Sequence, residues 1–232
     1  MKSTVLNKKN ISIVVPLFNE YENLDLFLRK LDNENTNLKK NFIFVNNGSS
    51  DEKVSKLLNE KQTNFVQLNK NLGFGGGVKY GIKHSSTDFV CWMPCNLKVD
   101  PLEAIELINQ IGNFDNKTLY KCKRLKNSKI DKYKTLIFSI LQSVILKTKV
   151  FDTGGTPTIV SKNLFNKLEN FPNDYTFETY VYLKAKSENF IIQRPSINYG
   201  KRKFGTSHWQ NGILSEIKFI LNMYKQSKLW KI

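Results

Sequence analysis

The stretch ISIVVPLFNEYENLDLFLRKL, Ile11 to Leu31, changes its period in the middle. ISIVV is an unbroken run rich in β-branched residues, as in a strand buried on both faces, and it stops at Pro16. Leu24, Phe27, Leu28 and Leu31 then fall at helical spacing. Asn19, with Glu22 three residues on, reads as the capping box that opens this helix. Strand, turn and helix in close succession make one β-α unit, and the unit recurs. FIFVN (Phe42 to Asn46) is a second strand, followed by a Ser49–Glu52 capping box and a helix carrying Val54, Leu57 and Leu58. NFVQLN (Asn64 to Asn69) precedes a glycine-rich turn and a helix with Val78 and Ile82. FVCWM is the fourth strand. Asp100-Pro101 opens the next helix, proline being favoured at the first helical position, and TLYKC (Thr118 to Cys122) is a fifth strand. This alternation predicts an α/β fold, a mostly parallel sheet flanked by helices. Its ligand crevice should lie beyond the strand ends, at Pro16, Asn46, Gly73 and Pro94.

The second half reads differently. It holds an amphipathic helix near 130–149, short β segments near 156–160 and 190–199, and a helix near 177–186 between them. A basic loop, YGKRKFGTSHW, leads into a final helix from about Asn211. No linker or repeat breaks the chain, so one domain, 1–232, is expected: a nucleotide-binding half at 1–122, an acceptor-shaping part at 123–210 and a C-terminal helix at 211–232.

The net charge of +16 over 232 residues favours anionic partners, beside the plainer reading of a lysine-rich solvated surface. Nucleic acid is not expected, because aromatics do not interleave with the cations as a stacking platform requires. Three scattered cysteines, Cys91, Cys95 and Cys122, argue for a reducing compartment and against zinc. The N-terminus lacks an apolar signal core, and TLIFSILQSVIL (Thr135 to Leu146) is too short to span a bilayer. A cytoplasmic protein is expected, peripheral on the inner membrane face if bound there. The helix near 130–149 sets Lys132 and Lys134 before Leu136, Ile137, Ile140, Leu141, Val144 and Ile145. The last helix carries Ile213, Leu214, Ile217, Ile220, Leu221 and Tyr224 with Lys225, Lys228 and Lys231. Most of these residues are expected to pack in the core, with a membrane interface as the other reading, and the charge favours an anionic leaflet as a partner.

NLGFGGG (Asn71 to Gly77) does not match a Walker A loop and follows the third strand, not the first, so it is no dinucleotide fingerprint either. Close packing of a helix start on the sheet and backbone contact to an anion both remain open. FVCWMPCN, Phe89 to Asn96, ends a strand where chemistry is expected and supplies no charge there.

In order along the chain, IVVPLFNEYENL, VNNGSSDEK, NLGFGGGVKYGI, FDTGGTPTIVSKNLF and YGKRKFGTSHW resemble the motifs of family 2 glycosyltransferases with the GT-A fold. The last two are similar to the acceptor loops of its dolichyl- and polyprenyl-phosphate branch. The resemblance implies inverting transfer of a sugar from a nucleotide-diphosphate sugar to a lipid phosphate or glycan acceptor in cell-surface polysaccharide or glycolipid synthesis. It sets Pro16, Asn19, Glu20, Asn46, Asn47, Asp51, Gly73, Gly75 and Asn96 along the nucleotide, Asn46 and Asn47 standing where the family carries an Asp pair. Asp51 equally suits the first turn of a helix. The family's metal-binding Asp-x-Asp falls on Pro94-Cys95-Asn96, so no metal cofactor is expected unless other ligands hold Mg²⁺ or Mn²⁺. Arg124 and Arg202 match basic positions of the polyprenyl-phosphate branch near phosphates, and Lys98, Lys201 and Lys203 are phosphate candidates by position, each also readable as an exposed cation of no special role. Glu178 and Asp152 are the catalytic candidates, Glu178 as a base or a helix-surface residue, Asp152 as a sugar contact or an organiser of its loop. His208 could touch phosphate, and Trp209 is expected to pack. The rival reading is a catalytically silent binding subunit that kept the pocket and lost the metal motif.

Overall fold

The computed structural model describes residues 10–33, 40–125, 129–205 and 213–230. Its centre is β1 (Ile11–Leu17), buried along its whole length and paired in parallel with β2 (Phe42–Asn47) on one side and β4 (Phe89–Trp92) on the other. β3 (Phe65–Leu68) extends the sheet beyond β2, also in parallel. Past β4 the direction reverses: β7 (Thr158–Ser161) runs antiparallel to β4 and to β5 (Thr118–Lys121), and β8 (Ile191–Gln193) lies parallel to β5. The sheet order is β3-β2-β1-β4-β7-β5-β8. Connections leave β1 toward one edge and β4 toward the other, and loops diverging at such a switch point open a crevice at the strand ends. A small ribbon of β6 (Lys123–Leu125) and β9 (Ser196–Asn198) stands apart from the main sheet.

Helices cover both faces. On one face α1 (Tyr21–Asn33), α2 (Glu52–Glu60) and α4 (Pro101–Ile111) bury Leu24, Phe27, Leu28, Val54, Leu58 and Ile108 against Ile13, Val15 and Phe44. On the other, α3 (Gly73–Lys83) and α7 (Phe177–Ser187) pack Val78, Ile82, Phe177 and Tyr180 against Val14, Val45 and Trp92. Gly81 sets how closely α3 approaches, since a Cβ there would lie 2.4 Å from Val14 Cγ1 and 2.8 Å from Val45 Cγ2. Short α6 (Lys162–Phe165) follows β7, while α5 (Lys129–Ile145) and α8 (Ile213–Ser227) complete the second half. Among the described residues no helix is long and apolar enough to cross a membrane.

Three local expectations are corrected. Asn19 does not cap α1: its backbone is left-handed (φ +52°) and its side chain accepts from Ser50 N at 2.9 Å, while Glu20 O receives the first helical N–H, from Leu24. The α2 cap is Asp51, whose carboxylate accepts from Lys53 N at 3.0 Å, and not the Ser49–Glu52 pair. The apolar stripe of α5 is not core either: Leu136, Ile137, Ile140, Leu141 and Val144 are exposed.

Cys91, Cys95 and Cys122 are free and buried. Burial is the main cause that pushes each thiol up from an ordinary value of 9.0, Cys122 to about 12. The native pKa therefore lies above the unfolded one. Stability from these groups is complete below about pH 9 and falls, as pH rises further, by about 1.4 kcal/mol per pH unit for each thiol that ionises only on unfolding. We expect urea midpoints to drop between pH 9 and 10.5, and Ellman's reagent at pH 8 to label these thiols only after denaturation. Rapid labelling of the native protein would contradict the packing.

Candidate active site

Two asparagines end β2. Asn46 Nδ2 donates to Gln67 Oε1 (2.8 Å) and Ser55 Oγ (3.0 Å), and its Oδ1 accepts from Ser49 N at 3.2 Å. Asn47 Nδ2 donates to Gly73 O at 2.9 Å and Asn71 Oδ1 at 3.1 Å, and its Oδ1 accepts from Leu72 N at 3.0 Å. Both amides are buried and fully engaged in binding loop to loop, a role their positions in the sequence did not disclose. An aspartate at 47 would have no N–H for Gly73 O or Asn71 Oδ1, so this loop contact requires the amide.

The glycine run is likewise engaged. Gly73 has φ +76°, and its N–H donates to Asn71 Oδ1 at 2.8 Å. Gly76 N donates to Asn173 O at 3.0 Å. A Cβ on Gly75 would stand 2.3 Å from Pro172 O and 2.7 Å from Phe177 Cβ. The start of α3 is thus covered by residues 172–177, and close packing accounts for Gly73 and Gly75.

At the shelf after β4, Pro94 is half-buried and Cys95 and Asn96 are buried. Asn96 Oδ1 accepts from Lys98 N at 3.1 Å, and Leu97 between them is left-handed at φ +55°, a conformation leucine rarely adopts. Burial, then the nearby Glu20 carboxylate, hold the Cys95 thiol protonated, and only Arg202 opposes them. A protonated thiol, a proline and an asparagine oxygen already in use do not fit a hard divalent cation. Among the described residues no cluster of three or more His, Cys, Asp or Glu forms another metal site.

The basic loop closes over this shelf. Arg202 forms an ion pair with Glu20, and its Nε donates to Phe204 O at 2.7 Å. Asn23, buried in the first turn of α1, donates to Phe204 O at 3.1 Å and accepts from Phe204 N at 3.3 Å. Residues 202–204 are thereby clipped to the start of α1, next to Cys95. Lys201 and Lys203 stay exposed, and the loop beyond Gly205, with His208 and Trp209, lies outside the described residues. Pro16, buried in β1, lies under α3: a Cβ on Gly77 would stand 2.9 Å from Pro16 Cβ.

A second cationic group stands on the β6–β9 ribbon. Arg124 pairs with buried Asp152 and lies 5.2 Å from the centre of the Tyr199 ring, and Lys98 lies 6.0 Å from the same ring. Burial alone would lower the Arg124 pKa, but Asp152 and then Tyr199 carry it above the ordinary arginine value. Its Nε is buried with no hydrogen-bond partner among the described residues. Arg194 approaches Asp152 Oδ2 at 3.7 Å and donates to Phe151 O and Asp152 O at 3.0 and 3.1 Å. Asp152 itself is left-handed (φ +46°). Tyr175, stacked on Phe74 at 4.3 Å, links the two groups. Burial first, then Tyr199 and Glu178, raise its hydroxyl, and Arg202 and Glu20 act on it too.

Glu178 is neither solvated nor open. It is buried on α7, pairs with buried Lys121, accepts from Trp92 Nε1 at 2.9 Å and lies 3.4 Å from Thr158 Oγ1. Sequence reading missed Lys121, Arg194, Tyr199, Tyr175 and Asn23. The available signals were slight: a lysine inside a strand buried on both faces, and an asparagine on the inward stripe of an amphipathic helix.

Comparison with known proteins gives the family and the fold. The family model described as Glycosyl transferase family 2 matches residues 12–169. A dolichol-phosphate mannosyltransferase of Pyrococcus furiosus is 28% identical over 106 residues, 44% of this chain and 30% of the relative. An undecaprenyl-phosphate 4-deoxy-4-formamido-L-arabinose transferase of Klebsiella pneumoniae is 26% identical over 109 residues, 44% of this chain and 33% of the relative. The matched stretch thus spans about a third of the length of these curated relatives. Among solved structures, the glucosyl-3-phosphoglycerate synthase of Mycobacterium tuberculosis, in complex with Mn²⁺, UDP and glucosyl-3-phosphoglycerate, superimposes with a TM-score of 0.71 at 15% identity, covering 98% of this chain and 81% of that one. The same enzyme in complex with UDP gives 0.67 at 16% identity, with 96% and 83% covered. That likeness gives the GT-A fold. From the family match over residues 12–169, the chain belongs to glycosyl transferase family 2.

Proposed function

We propose that the protein transfers a sugar from a nucleotide-diphosphate sugar to a lipid phosphate, with arginine in place of the divalent cation. The observation that carries the acceptor class is that each carboxylate singled out at the crevice is engaged. Glu20 pairs with Arg202, Asp51 caps α2, Asp152 pairs with Arg124 and Glu178 pairs with Lys121. A hydroxyl acceptor needs a general base, whereas a phosphate acceptor arrives anionic and needs none. In the reaction, a phosphate oxygen of the acceptor attacks the anomeric carbon. The bond from that carbon to the donor's diphosphate breaks, and its electron pair leaves with the nucleoside diphosphate.

The residues divide by location. Residues 1–122 would hold the donor, with Pro16, Asn19, Glu20 and Asn96 at the nucleotide and Asn46, Asn47, Gly73 and Gly75 building the loops around it. Arg202, beside Cys95, would neutralise the leaving diphosphate together with Lys98. Residues 123–210 would hold the acceptor, its phosphate against Arg124 and its lipid against exposed Phe151, the neighbour of Asp152. The two curated relatives, each named for a polyprenyl-phosphate substrate, support this acceptor class. Helix α8 would complete the acceptor side.

Titration calorimetry with UDP-, GDP-, CDP- and dTDP-sugars, each with Mn²⁺ and with EDTA, tests the donor site. Micromolar binding that EDTA leaves unchanged is expected. Binding only with Mn²⁺ would overturn the arginine reading. Metal-independent binding without transfer to any polyprenyl phosphate would favour a silent subunit, a reading to which the engaged amides of Asn46 and Asn47 lend weight.

A further inference from the structure

Helix α5 is built inside out. Its buried residues are polar: Ser139 Oγ accepts from Asp152 N at 3.0 Å, Gln142 Nε2 donates to Thr179 Oγ1 at 3.2 Å, and Gln142 Oε1 accepts from Thr153 Oγ1 at 3.1 Å. Its outward stripe is Tyr133, Leu136, Ile137, Ile140, Leu141 and Val144, between 44% and 71% exposed. These positions recur at helical spacing, so they share one face. A helix on a water-facing surface runs the other way, apolar side in. The remaining exposed residues among those described on α5 are lysines, Lys132 and Lys134, and Lys147 and Lys149 are exposed just past its end.

Helix α8 repeats the composition. It meets α5 through Phe138 and Phe219, with ring centres 5.8 Å apart, and through Gln142 and Met223 at 3.3 Å. Its described exposed residues are Ile217, Lys218, Leu221, Tyr224 and Lys225. By sequence α5 carries one acid, Asp131, against Lys129, Lys132 and Lys134, and α8 carries one, Glu216, against Lys218 and Lys225.

We propose that this face docks on an anionic lipid bilayer, α5 lying in the plane of the surface with its apolar stripe among the acyl chains and its lysines among the headgroups. Charge selects this occupant. Protein interfaces are depleted of lysine, and a second copy of the chain would set one lysine row against another. An anionic bilayer accepts both components, apolar area below and cations at headgroup level. The inward polar residues of α5 hold Asp152, which holds Arg124, so docking also brings the cationic end of the crevice close to the lipid surface. The proposal needs no particular sugar or acceptor and goes beyond the reaction proposed above.

The test is flotation of the full chain with vesicles of phosphatidylcholine alone or mixed with phosphatidylglycerol, neither holding any polyprenyl lipid. Binding to the anionic vesicles is expected to be at least about tenfold tighter than to the neutral ones. The triple variant Ile137→Gln, Ile140→Gln, Val144→Gln should lose at least about tenfold of that binding, with circular dichroism and Tm unchanged because all three side chains are exposed. Tryptophan emission of Tyr133→Trp, beyond the wild-type signal, should be quenched by brominated acyl chains. Absence of wild-type binding, or a triple variant that binds like wild type, overturns the proposal. So does a lipid-indifferent dimer that the triple variant dissociates. Docking without sugar transfer would leave this inference standing and count against the proposed reaction alone.

Discussion

Replacing Lys121 with methionine is expected to destabilise the fold by about 3–5 kcal/mol, because it leaves Glu178 as a buried carboxylate without its counter-charge. Both side chains are almost wholly inaccessible, at 1% and 2%. Lys121 Nζ also donates to Thr158 Oγ1 at 2.8 Å, and Glu178 accepts from Trp92 Nε1, so the pair ties β5, β7, β4 and α7 together. Burial lowers the Lys121 pKa and the Glu178 carboxylate opposes that shift, so the ammonium depends on its partner. The double variant Lys121→Met, Glu178→Gln should recover most of the loss. It removes both charges, and the glutamine oxygen still accepts from Trp92. Urea denaturation of the two variants and the wild type measures this directly. A single-variant cost under about 1 kcal/mol, the range of a surface pair, would show that the pair does not anchor α7.

The same pair shows what the sequence could and could not disclose. Strand and helix order from Ile11 to Cys122 was legible because each β-branched run ends at a turn residue and is followed by a 3.6-residue apolar period. The Asp100-Pro101 helix start was legible too, since its cap depends on adjacent residues alone: Asp100 accepts from Leu102 N at 3.0 Å. The other caps failed where a distant loop intervened. Asn19 is drawn from α1 by Ser49 and Ser50, thirty and thirty-one positions away. Site chemistry was hidden for the same reason. YTFETYV gives no sign that Glu178 meets a lysine 57 residues earlier, nor does the β2 end show that Asn47 will be spent on Gly73 and Leu72. The apolar stripe of α5 was plain in the sequence. Its direction was not, because Ser139 and Gln142 become the inward face only once Asp152, Thr153 and Thr179 stand opposite them.

Arg202→Ala should lower kcat for sugar transfer by about 10²–10³ in the presence of EDTA, the loss typical when one preorganised charge-stabilising donor is removed. Negative charge grows on the leaving diphosphate as its bond to the sugar breaks, so a cation there acts more strongly on the transition state than on the bound donor. Arg202 is the cation that acts on Cys95, in the middle of the shelf after β4. It is held there by Phe204 O and Glu20, both beside the start of α1. Arg124→Ala should behave differently. A phosphate acceptor is charged before and during the reaction, so its cation contributes mostly uniform binding, and the acceptor KM should rise with less effect on kcat. Removing Arg124 also takes the ion-pair partner from buried Asp152, so Tm must be read alongside the kinetics, and Arg124→Lys should restore part of both. Arg202→Lys should recover less, because an ammonium cannot hold Phe204 O and Glu20 in the same planar fork. The reading would be wrong if Arg202→Ala left kcat intact under EDTA, or if Mn²⁺ restored the variant's rate. Either result would put the charge compensation elsewhere in the crevice, with Lys98 the next cation to remove.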